Sequence, residues 1–442
     1  MRSLWVLGCV ALIGCAPAMG IPEPQGLPVL HPYDAARAEH GHQLLTVDTV
    51  SSAAVPRAGI ENLWLVWEDG YTGDYWAAFR ARYGLHEARF DNDGLPMGIR
   101  PVGKYVTFDC LLCHASTVAG QAVIGVANST LDVQSLLDDL EKAAAAIGVK
   151  PPVTLRDRTA AAGAVDAVGM AFAFGETYYG APEGTLNKNC GWERAPAWWQ
   201  LKHKKRAFND GSGESPGFRT MAGTLLAFGL TIDQIAARAD DFEDIGNYIL
   251  SLEPPASPFG KLDLGKLSDG RKVFDKTCGG CHGTYGGDTA SFPDVIVDAH
   301  DVGTDPMREE LFRSQEVDAI NSTWLGQPNL TKTNGYLSPT LVGIWARAPY
   351  FHNGSVPDLV GVLDSSSRPS VWRRTGVGAA DWDMERIGWR YDVPTDMPDP
   401  NTLAGRKIYD TKRAGLSNAG HTYGDALSAV DRAAVLEYLK SL

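Results

Sequence analysis

Two short strings in this chain each combine two cysteines with a histidine. The first is Cys110-Leu-Leu-Cys113-His114 and the second is Cys278-Gly-Gly-Cys281-His282. The two residues between the cysteines set a sulfur separation at which both thiols can add across the vinyl groups of one haem. The histidine that follows can then ligate the iron as its proximal ligand. The sequence therefore predicts two covalently bound haem c groups, with His114 and His282 as metal ligands.

The four cysteines have two other interpretations. Two Cys-X-X-Cys pairs can build a zinc site, and such a pair can also close a redox-active disulfide. The long stretch of chain between the pairs and the histidine that ends each string both favour haem over zinc. The rest of the sequence does not follow a thioredoxin-like pattern, which disfavours the disulfides.

The group on the far side of each iron decides its chemistry, because a filled position passes electrons whereas an open one can bind O₂ or peroxide. For the second haem we predict His421 as the sixth ligand, since it lies in a polar loop, Ser417 to Gly424, just before the last helix. A surface histidine is the alternative. For the first haem the candidates are Met97 and His203, and an open or water-bound iron is the third possibility.

The N-terminus has the features of an export signal. Arg2 precedes an apolar run, Leu4 to Ile13, that is too short to span a bilayer. The run leads into Gly14-Cys15, which resembles a bacterial lipobox, so we predict a lipoprotein signal peptide at residues 1–14 and lipidation of Cys15. Ordinary cleavage near Ala18 is the alternative. Lipidation would tether a soluble body in the periplasm or at the cell surface, with the outer membrane as the favoured anchor.

Composition limits the classes of partner. The chain has 442 residues, 44% of them hydrophobic, which is enough for two or three domains with real cores. Its formal net charge of −13 excludes the basic surface of a nucleic-acid-binding protein. The expected partners are a redox protein or a small-molecule electron donor or acceptor, and a membrane through the lipid anchor. Of the remaining cysteines, Cys9 would leave with the signal and Cys190 is predicted to be a small buried apolar group.

The chain divides at a proline-rich stretch, and the two parts end alike. Tyr248-Ile-Leu-Ser-Leu252 precedes the stretch, and Tyr438-Leu-Lys-Ser-Leu442 closes the chain. Both segments have apolar residues at helical spacing. The predicted fold class is mainly α, with tandem cytochrome c-like domains and long haem-wrapping loops. The predicted organisation is a signal peptide (1–14), a tether and N-terminal extension (15–59), a first cytochrome c-like domain (60–252), a linker (253–260) and a second cytochrome c-like domain (261–442).

The second half is the clearer cytochrome. We expect a helix around Gly270 to cross the final helix closely, with Phe274 and Tyr438 as a pair of aromatics, and Ser428 to cap the final helix. In the first half, helices are expected at residues 131–147 and 155–174. The segment before Cys110 does not follow a helical pattern.

One run of the second half is similar to bacterial dihaem cytochrome c peroxidases and their methylamine-utilisation relatives. This run is Ala346-Arg-Ala-Pro-Tyr-Phe-His352-Asn-Gly-Ser355. Arg347 could pair with a haem propionate, because a guanidinium matches a carboxylate in bidentate geometry. His352 could bond near the haem edge, or only anchor the turn after it. Those peroxidases place a Met ligand some way after the run, whereas residues 364–368 here contain none, which favours His421.

A wider resemblance is to the dihaem rubber oxygenases and their relatives. It is carried by six segments: Asn92 to Gly98, Cys110 to His114, Ala197 to Lys202, Val302 to Pro306, Tyr350 to Pro357 and Ser417 to His421. The resemblance implies an exported fold with two covalent haems. It implies that His282 and His421 ligate a relay haem, and that the haem on His114 can carry O₂ on its distal face.

Three functions follow. The first is electron transfer by an exported, lipid-anchored dihaem c-type cytochrome. The second is a dihaem oxidoreductase, a peroxidase or a rubber-oxygenase-like dioxygenase, that activates peroxide or O₂ at the first haem. The third is a haem-bearing binding module or sensor, which no feature of the sequence supports directly.

Overall fold

The computed structural model describes residues 27–51, 55–148, 161–166, 192–228, 230–311, 314–328 and 330–442. The predicted signal peptide, Cys15 and Cys190 lie outside these ranges. Of the predicted helix at 155–174, only residues 161–166 are described, and they form a turn and a short strand, Val165–Asp166, so the helix prediction is wrong there. None of the helices within them combines the length and the apolar character that a membrane crossing requires.

The described helices are mostly short and are joined by long irregular segments. In chain order they are α1 (Ala35–Thr46), α2 (Arg57–Glu61), α3 (Tyr75–Tyr83), α4 (Leu111–His114), α5 (Val133–Ala146), α6 (Phe218–Ala222), α7 (Ile232–Ala236), α8 (Ala239–Ser251), α9 (Leu264–Thr277), α10 (Gly279–His282), α11 (Ala299–Val302), α12 (Met307–Leu311), α13 (Ser314–Asn321), α14 (Leu359–Leu363), α15 (Leu403–Arg406) and α16 (Ala429–Leu439). Turns of 3₁₀ helix lie at Leu63–Val66, Trp198–His203, Gly223–Phe228, Trp324–Gly326, Ile344–Arg347, Ser365–Ser367 and Ala379–Asp381.

The strands are short and form small sheets. They are β1 (Val55–Pro56), β2 (Ile99–Val102), β3 (Tyr105–Phe108), β4 (Ala115–Val118), β5 (Gln121–Ile124), β6 (Val165–Asp166), β7 (Trp192–Glu193), β8 (Arg206–Ala207), β9 (Gly213–Glu214), β10 (Ile296–Asp298), β11 (Gly335–Leu337), β12 (Val371–Arg374), β13 (Trp382–Asp383), β14 (Gly388–Trp389), β15 (Tyr391–Asp392) and β16 (Ile408–Asp410). Two three-stranded sheets have the orders β1-β3-β2 and β15-β12-β16, and the other strands pair two by two.

The structure contains more helix than strand, but the predicted fold class, mainly α, understates its β-sheet content. About 40% of the structure is helical and 14% is strand. The hairpins β2–β3 and β4–β5 flank the first Cys-X-X-Cys-His string on either side. They are antiparallel, with Ile99 opposite Phe108 and Ala115 opposite Ile124. The absence of a helix before Cys110 was predicted from the sequence, but these paired strands were not.

The crossing of α9 with the final helix α16 is confirmed. A Cβ on Gly270 would overlap the carbonyl oxygen of Ala434, so only glycine allows the two backbones this close an approach. Phe274 packs beside Tyr438, with ring centroids 5.3 Å apart. The hydroxyl of Ser428 accepts a hydrogen bond from the Asp431 N–H at 3.1 Å and caps α16 as predicted.

A second crossing of the same kind joins α1 to α8. A Cβ on Gly41 would overlap the carbonyl oxygen of Asp244. The His42 ring packs against Tyr248 with ring centroids 5.0 Å apart. Residues before the predicted boundary at residue 60 therefore pack on the helix that ends the first half. The domain boundaries themselves stay predictions.

One apolar core is shared by both halves of the chain. It packs Val123 and Trp199, which precede the proline-rich stretch, with Phe274, Trp345 and Val435, which follow it. Residues 253–260 form neither helix nor strand. The two halves therefore meet over a common hydrophobic interior, and a side chain from one half can reach a site built by the other.

Candidate functional site

The second Cys-X-X-Cys-His string lies on a single helical turn at the end of α9. The Cys278 N–H donates to the Phe274 carbonyl at 2.7 Å, and the His282 N–H donates to the Cys278 carbonyl at 2.9 Å. Cys278 and Cys281 are not joined by a disulfide and are partly exposed. This turn brings both sulfurs and the imidazole to one face, as attachment of a haem c requires.

A hydrogen bond at Nδ1 fixes the orientation of the His282 ring. Its Nδ1 lies 2.9 Å from the carbonyl oxygen of Pro339. A hydrogen bond from Nδ1–H leaves the lone pair of Nε2 free to ligate a metal, which is the usual arrangement of a ligating histidine. Burial lowers the pKa of His282. The neutral imidazole, which is the form that binds metal, is therefore favoured.

His421 faces His282 across a cavity. Their ring centroids are 6.0 Å apart, with an interplanar angle of 57°. Two imidazole nitrogens that each lie about 2 Å from one metal ion place their ring centres about 6 Å apart. Burial, and to a lesser extent the nearby His282, lower the pKa of His421 to about 4. The pair therefore fits one iron held between two neutral histidines, and the predicted ligands lie together.

The loop that carries His421 is tightly held. The His421 N–H donates to the Val302 carbonyl at 2.7 Å. Gly420 lies against Gly303 so closely that a Cβ on Gly420 would overlap its carbonyl carbon. Arg368 donates to the Gly420 carbonyl at 2.8 Å and to the His421 carbonyl at 3.1 Å. These contacts hold His421 in the left-handed backbone region, with φ 44°, which non-glycine residues rarely adopt.

The run from Ala346 to Ser355 supports this loop from the other side. Asn353 donates from its side chain to the Gly415 carbonyl at 3.1 Å and to the Ser417 carbonyl at 3.0 Å. The Ser355 hydroxyl donates to the Ser417 carbonyl at 3.0 Å. Part of the run is therefore a support for the sixth-ligand loop, a role that the sequence analysis did not foresee.

Arg347 and His352 line the same cavity as the two facing histidines, and the cavity measures about 350 Å³. The Nη1 of Arg347 and the Nε2 of His352 are buried and have no hydrogen-bond partner in the part of the chain that the structure describes. His352 stacks on Tyr336, with ring centroids 4.2 Å apart. Buried polar atoms normally have partners, so these two orphaned atoms fit a ligand with acceptor groups, such as a haem with its two carboxylates.

The first Cys-X-X-Cys-His string forms a similar turn at a separate place. The His114 N–H donates to the Cys110 carbonyl at 3.0 Å, and the Asn128 N–H donates to the Cys113 carbonyl at 2.8 Å. The His114 ring stacks on Trp198, with ring centroids 4.5 Å apart. Burial lowers the pKa of His114 to about 3. Within the described ranges, no three His, Cys, Asp or Glu side chains converge on a metal site, so the two cysteine pairs do not meet there as a zinc site would require.

The surroundings of the two proximal histidines repeat in sequence and shape. Pro196, Lys204, Phe208, Gly211 and Ser212 recur at the same spacing as Pro339, Arg347, Phe351, Gly354 and Ser355. Phe208 and Phe351 have nearly the same left-handed φ, 66° and 68°. In both copies a proline carbonyl approaches the proximal histidine. The Pro339 carbonyl lies within hydrogen-bond distance of His282 Nδ1, whereas the Pro196 carbonyl does not complete a hydrogen bond to the buried Nδ1 of His114. This repeat was not predicted from the sequence, although its five aligned positions could have revealed it.

The candidates for the first sixth ligand are not brought opposite His114 in this way. Met97 is buried in an apolar cluster with Leu111 and Trp198. The Nδ1 of His203 bonds to the carbonyl of Pro28 at 3.0 Å. Among the described residues, the ring found against His114 is that of Trp198, not a second histidine. Both candidates remain predictions.

Comparison with known proteins supports part of this picture. Residues 335–373 match a family described as RoxA-like, cytochrome c-like. The chain is 27% identical over 257 residues to the uncharacterized protein y4iM of Sinorhizobium fredii (strain NBRC 101917 / NGR234), which covers 51% of this chain and 56% of that protein. It is 25% identical over 264 residues to the uncharacterized protein y4iJ of the same strain, which covers 44% of this chain and 42% of that protein. The chain thus spans about half the length of the curated relatives it matches.

The matched segment contains Arg347, His352 and Arg368, and so covers one wall of the cavity and the support of the His421 loop. It supports a relation to the rubber oxygenases. Taken with the two attachment turns, it indicates a c-type cytochrome with a redox function and covalently bound haem.

Proposed function

We propose that this protein is an exported, lipid-anchored dihaem c-type cytochrome that transfers electrons. The observation that carries the proposal is the pair His282 and His421, whose rings face each other at the separation that one shared iron needs. A haem iron ligated on both faces exchanges single electrons and leaves no position for a substrate. The partner would be a redox protein or a small-molecule electron donor or acceptor.

The chain's own residues would keep this site ready for electron exchange. The Pro339 carbonyl orients His282, and the Arg368 guanidinium holds the loop of His421. Because hydrogen bonds to other parts of the chain fix both ligands, they need to move little when the charge on the site changes. A rigid, buried ligand set lowers the reorganisation that electron transfer requires.

A second candidate is a dihaem oxidoreductase that activates peroxide or O₂ at the first haem. Two observations favour it: among the described residues no second histidine ring faces His114 as His421 faces His282, and residues 335–373 of the second half match the RoxA-like family. In that case the second haem would deliver or store electrons, and the first would bind the oxidant.

Optical and electron paramagnetic resonance spectra of the purified protein would test these functions, because they count low-spin and high-spin haems. Electron transfer alone predicts two low-spin haems. A high-spin first haem that binds O₂ or CO favours the oxidoreductase.

The role of His421 has its own test. His421→Ala should make the second haem high-spin, whereas His300→Ala should leave it low-spin because the His300 side chain is almost fully exposed. An unchanged low-spin second haem in His421→Ala would rule out His421 as the sixth ligand, and with it the proposed relay site.

Export and anchoring are proposed from the sequence. Cys15→Ser should release the protein from the membrane fraction, whereas Cys9→Ser should leave it there because Cys9 lies inside the predicted signal peptide. Membrane attachment that persists in Cys15→Ser would argue against the lipid anchor.

A further inference from the structure

Four cationic side chains line the cavity between His282 and His421. Arg194 and Lys204 belong to the first half of the chain, whereas Arg347 and the exposed Lys276 belong to the second. Arg194 and Lys204 are only 7% and 4% exposed. A site that takes its two axial histidines from the second half is therefore lined by charges from both halves.

Within the described residues no salt bridge joins Arg194, Lys204 or Arg347 to an acid, whereas nearby Arg308 is paired with both Glu193 and Asp210. Asp294 lies near enough to Lys204 to raise its pKa, but it forms no salt bridge with it. Arg194 donates from Nη1 to the carbonyls of Arg347, at 2.6 Å, and of Pro349, and these neutral acceptors leave its charge unbalanced. A buried charge without a counter-charge is costly, so the arrangement calls for an anion.

The unused donors point to the chemistry of that anion. Among the described residues, the Nε of Arg194, the Nη1 of Arg347 and the Nε2 of His352 are buried without a hydrogen-bond partner, and the two guanidinium nitrogens are donors. Burial lowers the pKa of Arg194 and of Arg347 to about 10. Burial and the nearby Arg347 lower the pKa of Lys204 to about 8. Several donors and like charges facing one cavity suit a ligand with two carboxylates.

We infer that Arg194 and Lys204 complete, with Arg347, the binding site for the two propionate groups of the second haem. The inference rests on the proposed function in that the haem is the one attached to Cys278 and Cys281. It adds that this haem is held by both halves of the chain, covalently by one and electrostatically by the other. Binding of the haem would therefore also stabilise the contact between the halves.

The test is a spectroelectrochemical titration of the haem-loaded full chain. Removing a cation beside the propionates favours the more positive, ferric state, so the midpoint potential of the second haem should fall in Arg194→Gln and Lys204→Gln and fall furthest in the double variant. Lys205→Gln removes the same charge from the next, exposed residue and should leave the potential near that of the parent. Arg194→Lys and Lys204→Arg should shift it less than the glutamine variants.

Two results would overturn the inference. One is an equal shift of the midpoint potential in Lys204→Gln and Lys205→Gln, and the other is no shift of that potential in Arg194→Gln or in Lys204→Gln. If the Arg194→Gln protein does not fold well enough to be purified, the midpoint potentials of Lys204→Gln and Arg194→Lys test the same inference. A potential of the parent protein that changes with added inorganic phosphate at constant ionic strength would mean that the cations bind a free anion instead.

These variants should keep the second haem low-spin. Their readout is the potential, whereas His421→Ala reports through the spin state. Failure of the propionate site and failure of the relay site are therefore distinguishable.

Discussion

Arg368 donates a hydrogen bond from its guanidinium to the backbone carbonyl of His421 at 3.1 Å. The same guanidinium donates to the Asn418 carbonyl at 2.7 Å and to the Gly420 carbonyl at 2.8 Å, and it lies over the Phe351 ring. Its Nε is anchored on the Gly361 carbonyl at 2.7 Å. One side chain thus ties the sixth-ligand loop to α14 and to the run that lines the cavity.

Arg368→Gln should loosen the His421 loop without altering either histidine. We expect a partial high-spin signal from the second haem and a fraction that binds CO in the reduced state, since a mobile ligand leaves the iron part of the time. Arg368→Lys keeps the charge but loses the forked pair of guanidinium donors. Its high-spin signal should lie between those of the parent protein and Arg368→Gln. Arg373→Gln removes an exposed arginine paired with Asp392 and should leave the spectrum unchanged. If the spectra of all three variants equal that of the parent, the His421 loop keeps its position without the hydrogen bonds from Arg368.

The helix crossing at Gly270 should be sensitive to a single methyl group. Gly270→Ala places a Cβ into the Ala434 carbonyl, so the helices must separate, and overpacking of this kind costs about 1–3 kcal/mol in free energy of unfolding. Gly59→Ala, in the exposed helix α2, meets only an ordinary contact with Val55 and should be neutral or slightly stabilising. Denaturant unfolding of the two variants makes the comparison. A Gly270→Ala protein as stable as the parent would mean that the crossing can widen at no cost.

His86 should make stability depend on pH. Burial lowers its pKa to about 4, while the Asn128 side chain raises it in part. The folded protein thus keeps His86 neutral at pH values where the unfolded chain takes up a proton, so its contribution is complete above about pH 6.5 and is lost as the pH falls toward 4.

His86→Gln removes this titration and leaves the other histidines in place. The difference in unfolding free energy between the parent and the variant should therefore shift by about 2–3 kcal/mol between pH 7 and pH 4.5, to the disadvantage of the parent. Chemical denaturation at the two pH values measures it. A difference that does not change with pH would place the pKa of folded His86 near its ordinary value.

The second half could be predicted from the sequence because its signals are local. Cys278 directly follows the helix that contains Gly270, so one short segment gives the helix, the attachment turn and the proximal ligand. His421 lies just before the final helix, and its neighbours are small and polar. The structure places His282, His421, Arg347 and His352 around one cavity, as far as the described residues reach.

The first half was harder to predict because its equivalent parts are far apart in sequence. The glycine crossing that matches Gly270 is at Gly41, and α2, α3 and the β2–β3 hairpin separate it from Cys110. Arg194 and Lys204 could not be assigned to the second site, because a charge that crosses from one half to the other leaves no local pattern. The repeat around Phe208 and Phe351 depends on backbone shape more than on composition, and few of its positions are identical.

The central claim is that two haem groups are attached through thioethers to Cys110 and Cys113 and to Cys278 and Cys281. The mass of the denatured protein, after loosely bound pigment has been extracted, tests it most directly. We predict the mass of the mature polypeptide with its lipid and two haem groups, and the loss of one haem in Cys278→Ser/Cys281→Ser. A mass equal to that of the polypeptide and lipid alone would contradict the account.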